Sequence, residues 1–236
     1  YYFWVYAYNV GSCGTSPKYY TVSPLNGSAT TTTNISCGSF PILYWAGSGS
    51  SYTNGSATSN FNTASNWSTS SSSYVASGSA PTGCTNVNIA ITSANVTLSL
   101  SGNLSVYDLT FTCTGGYGAI LNTAGYTLTV NGTGNVDVAV GAADNTYVGI
   151  GEYSGFSGVV NFKANFSIGT NSADWGSGKA SYLIGNNNSK ITFRGDVLFG
   201  RTCVISSSFR PGTVEFDGVG LQEVLWNNDM YFANFR

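Results

Sequence analysis

Between Ala119 and Leu225 one short pattern of apolar and polar positions is written four times. Its clearest copies are GVVNFKANFSIG (158 to 169), SKITFRGDVLFG (189 to 200) and GTVEFDGVGLQEV (212 to 224). Each is centred on an aromatic, Phe162, Phe193 or Phe216, and a small residue follows two places later at Ala164, Gly195 or Gly218. A looser copy, GYTLTVNGTGNVDVAV (125 to 140), has Val130 in place of the aromatic and Gly132 two on. Ahead of each copy stands a second apolar segment: AIL at 119, YVGI at 147, YLIG at 182 and CVI at 203. In VVNFKANF the residues Val160, Phe162 and Ala164 alternate with Asn161, Lys163 and Asn165, and period two means strands. The unit is therefore strand, turn, strand. Further strands are predicted at 86 to 91, 95 to 100 and 104 to 112.

Self-similarity at a period of a few tens of residues marks a solenoid or array. An antiparallel sandwich also alternates, but it has no reason to repeat one strand pair with the same aromatic and glycine. The expected fold is thus all-β, a right-handed parallel β-helix. Successive turns would place Phe162, Phe193 and Phe216 above one another inside, each hiding about 150–250 Å². Lys163, Arg194 and Asp217 would line up beside one another outside.

Composition changes the picture at the surface. Only 8% of the 236 residues are charged, against about 25% in ordinary soluble domains. Ser, Thr, Asn, Gly and Tyr must then cover the outside, as in secreted bacterial surface proteins. The net charge of −2, with basic residues scattered singly, lacks the stripe that nucleic-acid binding needs. No apolar run approaches the roughly 20 residues of a membrane helix.

Five cysteines occur without a CxxC and without a histidine, which argues against zinc. In an exported chain they are expected to pair. Cys13 with Cys37 and Cys84 with Cys113 are the sequence-neighbour pairings, and Cys203, in an apolar strand, is either a partner or a buried thiol.

At the N-terminus, Tyr1-x-Phe3-x-Val5-x-Ala7-Tyr8-Asn9, a Gly-containing loop and a second strand at 19 to 33 form a hairpin. It resembles the last hairpin of a fibronectin type III domain, with Tyr1 at the corner-tyrosine position. The resemblance implies that the chain begins inside such a domain. The expected division is 1–36 for this partial domain, 37–83 for a linker and loop-rich cap, and 84–236 for the β-helix. Tyr44, Trp45, Phe61, Trp67 and Tyr74 anchor the cap, because a disordered tract would not need them.

The order YWAG, NFNTASNW, PTGCTNVNI, NVTLSL, VYDLTF, with F-x-G-x-G-x-Q at Phe216, Gly218, Gly220 and Gln222, resembles the β-helical region of very large Bacteroidetes surface proteins. That resemblance implies export by the type IX system, fibronectin and β-helix modules in series, and a role like that of gliding-motility adhesins. The implied partners are a polysaccharide or solid surface and the secretion or motility machinery, on the outside of the bacterial outer membrane.

Chemistry is sparse. With no histidine, Ser-His-Asp triads and the commonest general base are removed together. GSGSS (47 to 51) lacks the strand-to-helix setting of a nucleophile elbow, and no helix follows GIGEYSG (149 to 155) to receive a phosphate. Glu215, Asp217 and Arg194 form either an acid/base group or a surface ion pair. Trp175, flanked by Asp174 and Lys179, is either a stacking platform for a sugar ring or a lid folded over the repeat. The reading is of a non-enzymatic adhesin or stalk segment without catalytic residues, metal or cofactor. A polysaccharide lyase or hydrolase and a carbohydrate-binding module are the alternatives.

Overall fold

The computed structural model describes residues 37–47, 59–170, 178–205, 211–219 and 221–226, together with the backbone of four short strands nearer the N-terminus. The chain divides into two compact units, Tyr1–Ser36 and Cys37–Arg236. In the first, β1 (Tyr2–Val5), β2 (Tyr8–Asn9), β3 (Lys18–Tyr19) and β4 (Leu25–Ser28) pair antiparallel, β1 with β4 and β2 with β3. The position of Tyr1 lies outside the described residues.

The second unit is all-β with three parallel sheets. It opens with β5 (Ile42–Trp45), β6 (Ser59–Asn60), a single 3-10 turn at Ala64–Asn66, and β7 (Trp67–Ser68). Strands then come in threes: β8 (Asn86–Ile91), β9 (Val96–Ser99), β10 (Leu104–Val106), followed by β11 (Leu109–Cys113), β12 (Gly118–Asn122), β13 (Thr127–Val130). The next trio is β14 (Gly134–Val138), β15 (Tyr147–Gly151), β16 (Val159–Phe162), and after it β17 (Phe166–Ile168), β18 (Ala180–Ile184), β19 (Lys190–Phe193). The last full trio is β20 (Val197–Phe199), β21 (Cys203–Val204), β22 (Thr213–Phe216), before β23 (Val224–Trp226).

From β8 on, the first strand of every trio joins an eight-stranded sheet I, the second a six-stranded sheet II and the third a five-stranded sheet III. Each strand is paired, parallel, with the one three places along. Parallel pairing needs a crossover rather than a hairpin, and here the crossover is made of two further strands.

The register explains why period-two sequences repeat. In sheet III, Val106, Val130, Phe162, Phe193 and Phe216 are successive partners. Phe162 and Phe193 are wholly buried and Phe216 is half-buried. The expected aromatic stack is therefore present. In sheet II, Leu98, Leu121, Ile150 and Leu183 make the equivalent row. In sheet I, Ile89, Phe111, Val136, Ile168 and Phe199 do the same.

Three expectations need correction. The unit has three strands, not two. VVNFKANF, read as one strand, ends at Phe162 and turns a corner before Phe166 enters sheet I; LSVYDLTFT likewise breaks between Val106 and Leu109. Alternation of inward and outward side chains runs on around such a corner, so the apolar pattern alone cannot reveal it. The small residue after the aromatic marks the place. A Cβ on Gly195 would overlap the Ala164 carbonyl carbon of the trio below, and one on Gly218 would come within 2.6 Å of the Arg194 carbonyl oxygen. Glycine is used where backbones approach this closely.

Ile42–Trp45, expected at the start of the loop-rich segment, is a strand parallel to β8. Of the five aromatics expected to anchor this segment, Trp45, Phe61 and Trp67 are buried together, while Tyr44 and Tyr74 are half-buried. Trp67 meets Trp45 and Phe61 edge-on, with centroids 5.2 and 4.8 Å apart, and donates its indole N–H to the Phe61 carbonyl at 2.9 Å. Strand β7 runs antiparallel to β5, which covers that edge of sheet I against further pairing.

The cysteines pair otherwise than by sequence proximity. Cys37 is bonded to Cys84, with Cα atoms 5.5 Å apart. Because β5 lies parallel to β8, the residues leading into those two strands are brought side by side. Cys113 instead faces the core from the end of β11, where its thiol donates to the Tyr117 carbonyl at 3.2 Å. Cys203 is also a buried thiol, and Cys13 lies outside the described residues.

Candidate functional site

The charged triplet expected from sequence is assembled on the outer side of sheet III. Thr192 on β19 lies opposite Glu215 on β22, which places Arg194 opposite Asp217 at the strand ends. Arg194 grips Asp217 through Nε, at 3.1 and 3.2 Å from the two carboxylate oxygens, and through Nη2 at 3.1 Å. Glu215 is paired with Lys190 and accepts a 3.5 Å hydrogen bond from the Thr192 hydroxyl. Lys163 is exposed at the corresponding place one strand back. Each carboxylate of the triplet thus has its own cation. With the Arg194 and Asp217 side chains 53% and 34% exposed, such a pair contributes about 0.2–1 kcal/mol.

Around the next corner, outside sheet I, lies a groove of about 350 Å³ lined by Asn135, Asn165, Ser167, Asp196, Leu198 and Glu223, among others. It belongs to a polar ladder that the sequence reading missed. Asn86 accepts the amide of Asp108 at 3.3 Å, and Asp108 that of Thr133 at 2.6 Å. Asn165 likewise accepts from Asp196 at 3.1 Å, and Asp196 from Glu223 at 2.9 Å. A side-chain oxygen here satisfies the amide that would otherwise be orphaned at the corner of the next trio. The available signal was a polar residue immediately ahead of every sheet I strand from Val87 onward. Arg194, Glu215 and Asp217 do not line this groove.

The first two glycines of GIGEYSG, Gly149 and Gly151, are strand residues of β15, and Gly155 lies in the bend that follows it. The Glu152 carboxylate, next after Gly151, is 2% exposed. It accepts from the Thr123 hydroxyl at 2.6 Å, the Gly125 amide at 2.7 Å and the Ser154 amide at 2.8 Å. This is a buried acid with a structural set of donors. Among the described residues no group of three or more Cys, Asp or Glu is arranged to hold a metal. No described helix is long and apolar enough to cross a membrane.

Of the predicted ligand-contact residues, Trp175 and Asp174 lie outside the described residues, as does most of GSGSS. Lys179 is half-buried immediately ahead of β18, where the Ala180 amide bonds the Thr146 carbonyl at 3.2 Å. That position is beside the outer face of sheet II, on which the rings of Tyr147 and Tyr182 meet at 6.1 Å with planes 78° apart. Burial raises the Tyr147 hydroxyl above its ordinary range, and Tyr153, Cys113 and Tyr182 add to the effect. No family model, curated protein or solved structure matches the chain.

Proposed function

We propose that the chain is a rigid, non-enzymatic segment of a secreted surface adhesin or stalk, wound as a right-handed parallel β-helix, with a glycan or solid surface as its contact. The observation that carries this reading is the register. From β11 to β23 each strand is the parallel register partner of the one three places before it and so repeats its inward and outward positions. Parallel crossovers are right-handed in about 98% of cases, which supplies the hand. A sequence so uniformly committed to stacking is selected for stiffness, whereas catalytic sites break local pattern. The cation on each carboxylate of the triplet supports the same view.

The antiparallel pairing of β1 with β4 supports reading the first unit as the closing hairpin of a fibronectin type III-like domain. Export by a type IX pathway and a place in the motility or adhesion apparatus outside the outer membrane follow from the resemblance described above. A β-helical polysaccharide lyase or hydrolase is the second reading, favoured by Asp196 and Glu223 in the groove. A carbohydrate-binding module serving a larger enzyme shares the same contact chemistry.

Incubating the purified chain with neutral and acidic polysaccharides, with and without calcium, separates these readings. Binding without cleavage is expected. Cleavage that vanishes in Glu215→Gln, Asp217→Asn or Asp196→Asn overturns the non-enzymatic assignment.

A further inference from the structure

The outer face of sheet II carries two tyrosine rings, Tyr147 and Tyr182, set edge to face. Gly118 and Gly149 occupy outward positions inside strands β12 and β15, where glycine is ordinarily unfavourable. Side chains from the next strand explain both. A Cβ on Gly118 would overlap the Cζ, Oη and Cε1 atoms of Tyr147, and one on Gly149 would overlap Ile184. Tyr147 is therefore folded back across β12 and lies over the glycine. It remains 36% exposed, and Tyr153 nearby is 50% exposed. Tyr182, nearly perpendicular to Tyr147 at a centroid distance of 6.1 Å, stands as a wall beside this floor.

We propose that the Tyr147 floor and Tyr182 wall bind an uncharged sugar ring of a polysaccharide; this rests on the glycan-contact reading and gives that contact a location. A pyranose offers a C–H face to stack on an aromatic and hydroxyls at its rim for the phenol groups, and tyrosine presents both kinds of surface at low entropic cost. The outward positions of the sheet II strands from β9 to β21 include no Asp, Glu, Lys or Arg, so the stacking surface itself suits a neutral saccharide, with Lys179 at its edge. A docked protein would need roughly 800 Å² on this side, far more than a corner of two rings supplies.

The test is calorimetric titration of the whole chain with cellohexaose, laminarihexaose and mannohexaose, with an alginate oligomer as the charged counterpart. At least one neutral hexasaccharide should bind in preference to alginate. Tyr147→Ala and Tyr182→Ala should each weaken it about tenfold, the scale of a lost aromatic contact. Gly118→Ala keeps the ring but displaces it, and should weaken binding too, while Tyr147→Phe retains the floor and most of the affinity. Phe156→Ala, an exposed aromatic outside the pair, should change nothing. Undiminished binding in the folded tyrosine variants overturns the site while leaving the glycan reading standing. Absence of binding to every saccharide overturns both. Preference for alginate, insensitive to Tyr147 and Tyr182, also overturns the site.

Discussion

Phe162 and Phe193 are register partners on adjacent parallel strands, with ring centroids 5.4 Å apart and planes within 7° of parallel. Phe216 continues the row at 5.4 Å, tilted by 30°. Side chains directly opposite in neighbouring strands are the unit of sheet stabilisation, so the middle ring is packed from both sides. Phe193→Ala is expected to lower unfolding free energy by about 3–5 kcal/mol. Phe216→Ala, at a half-buried position, should cost less. Urea unfolding of the two variants decides it, and equal losses would contradict a stack that continues through the middle ring.

The Arg194–Asp217 contact is geometrically good but exposed. A double-mutant cycle with Arg194→Ala and Asp217→Asn should return a coupling of at most about 1 kcal/mol. The coupling should shrink when ionic strength is raised, because exposed charges are screened. A salt-independent coupling of several kcal/mol would mean the pair is shielded from solvent in a way its exposure does not suggest.

Corner glycines are set by backbone proximity. Gly195→Val should destabilise the chain by about 1–3 kcal/mol, the range for overpacking, since even a Cβ there overlaps the Ala164 carbonyl carbon. The same change at Gly102, where a Cβ meets nothing within 4 Å, should be far milder. Thermal melts of the two variants compare the positions directly.

The Cys37–Cys84 bond closes a loop with a sequence separation of 47. Chain entropy then assigns it about 4 kcal/mol, so the Cys37→Ser/Cys84→Ser variant should unfold at markedly lower denaturant. Intact mass after alkylation of the unfolded, unreduced protein should still report Cys113 and Cys203 as thiols.

Burial pushes the Cys113 thiol up to about 11 from the ordinary 9.0, and drives Cys203 up further, with Asp137 adding to the effect. In both cases the folded state holds its proton longer than the unfolded chain. Their contribution to stability is therefore complete below pH 9 and is lost as pH rises; for Cys113 the loss runs through about 11. Stability measured from pH 8 to 11 should fall, and Cys113→Ala should flatten part of that slope. A stability that rises with pH across this window would reverse the sign.

Sequence alone determined what depends on local pattern. Period-two alternation identified strands, and the recurrence of Phe162, Phe193 and Phe216 aligned them correctly, because residues repeating at one place in the unit become partners when strands stack in parallel. The large aromatics of the first segment were legible as anchors for the same reason that they are buried: such rings are not kept in polar tracts without a core to enter. Only the tertiary structure decided where each alternating stretch bends, since in–out alternation survives a corner and Lys163 to Asn165 look like continued strand. It also decided which cysteines meet. Cys37 and Cys84 are brought together by parallel pairing of β5 with β8, a contact between distant segments that no local signal records. The position of Tyr147 over Gly118 is likewise a relation between neighbouring strands, created when stacking lays one strand's ring across the next strand's missing side chain.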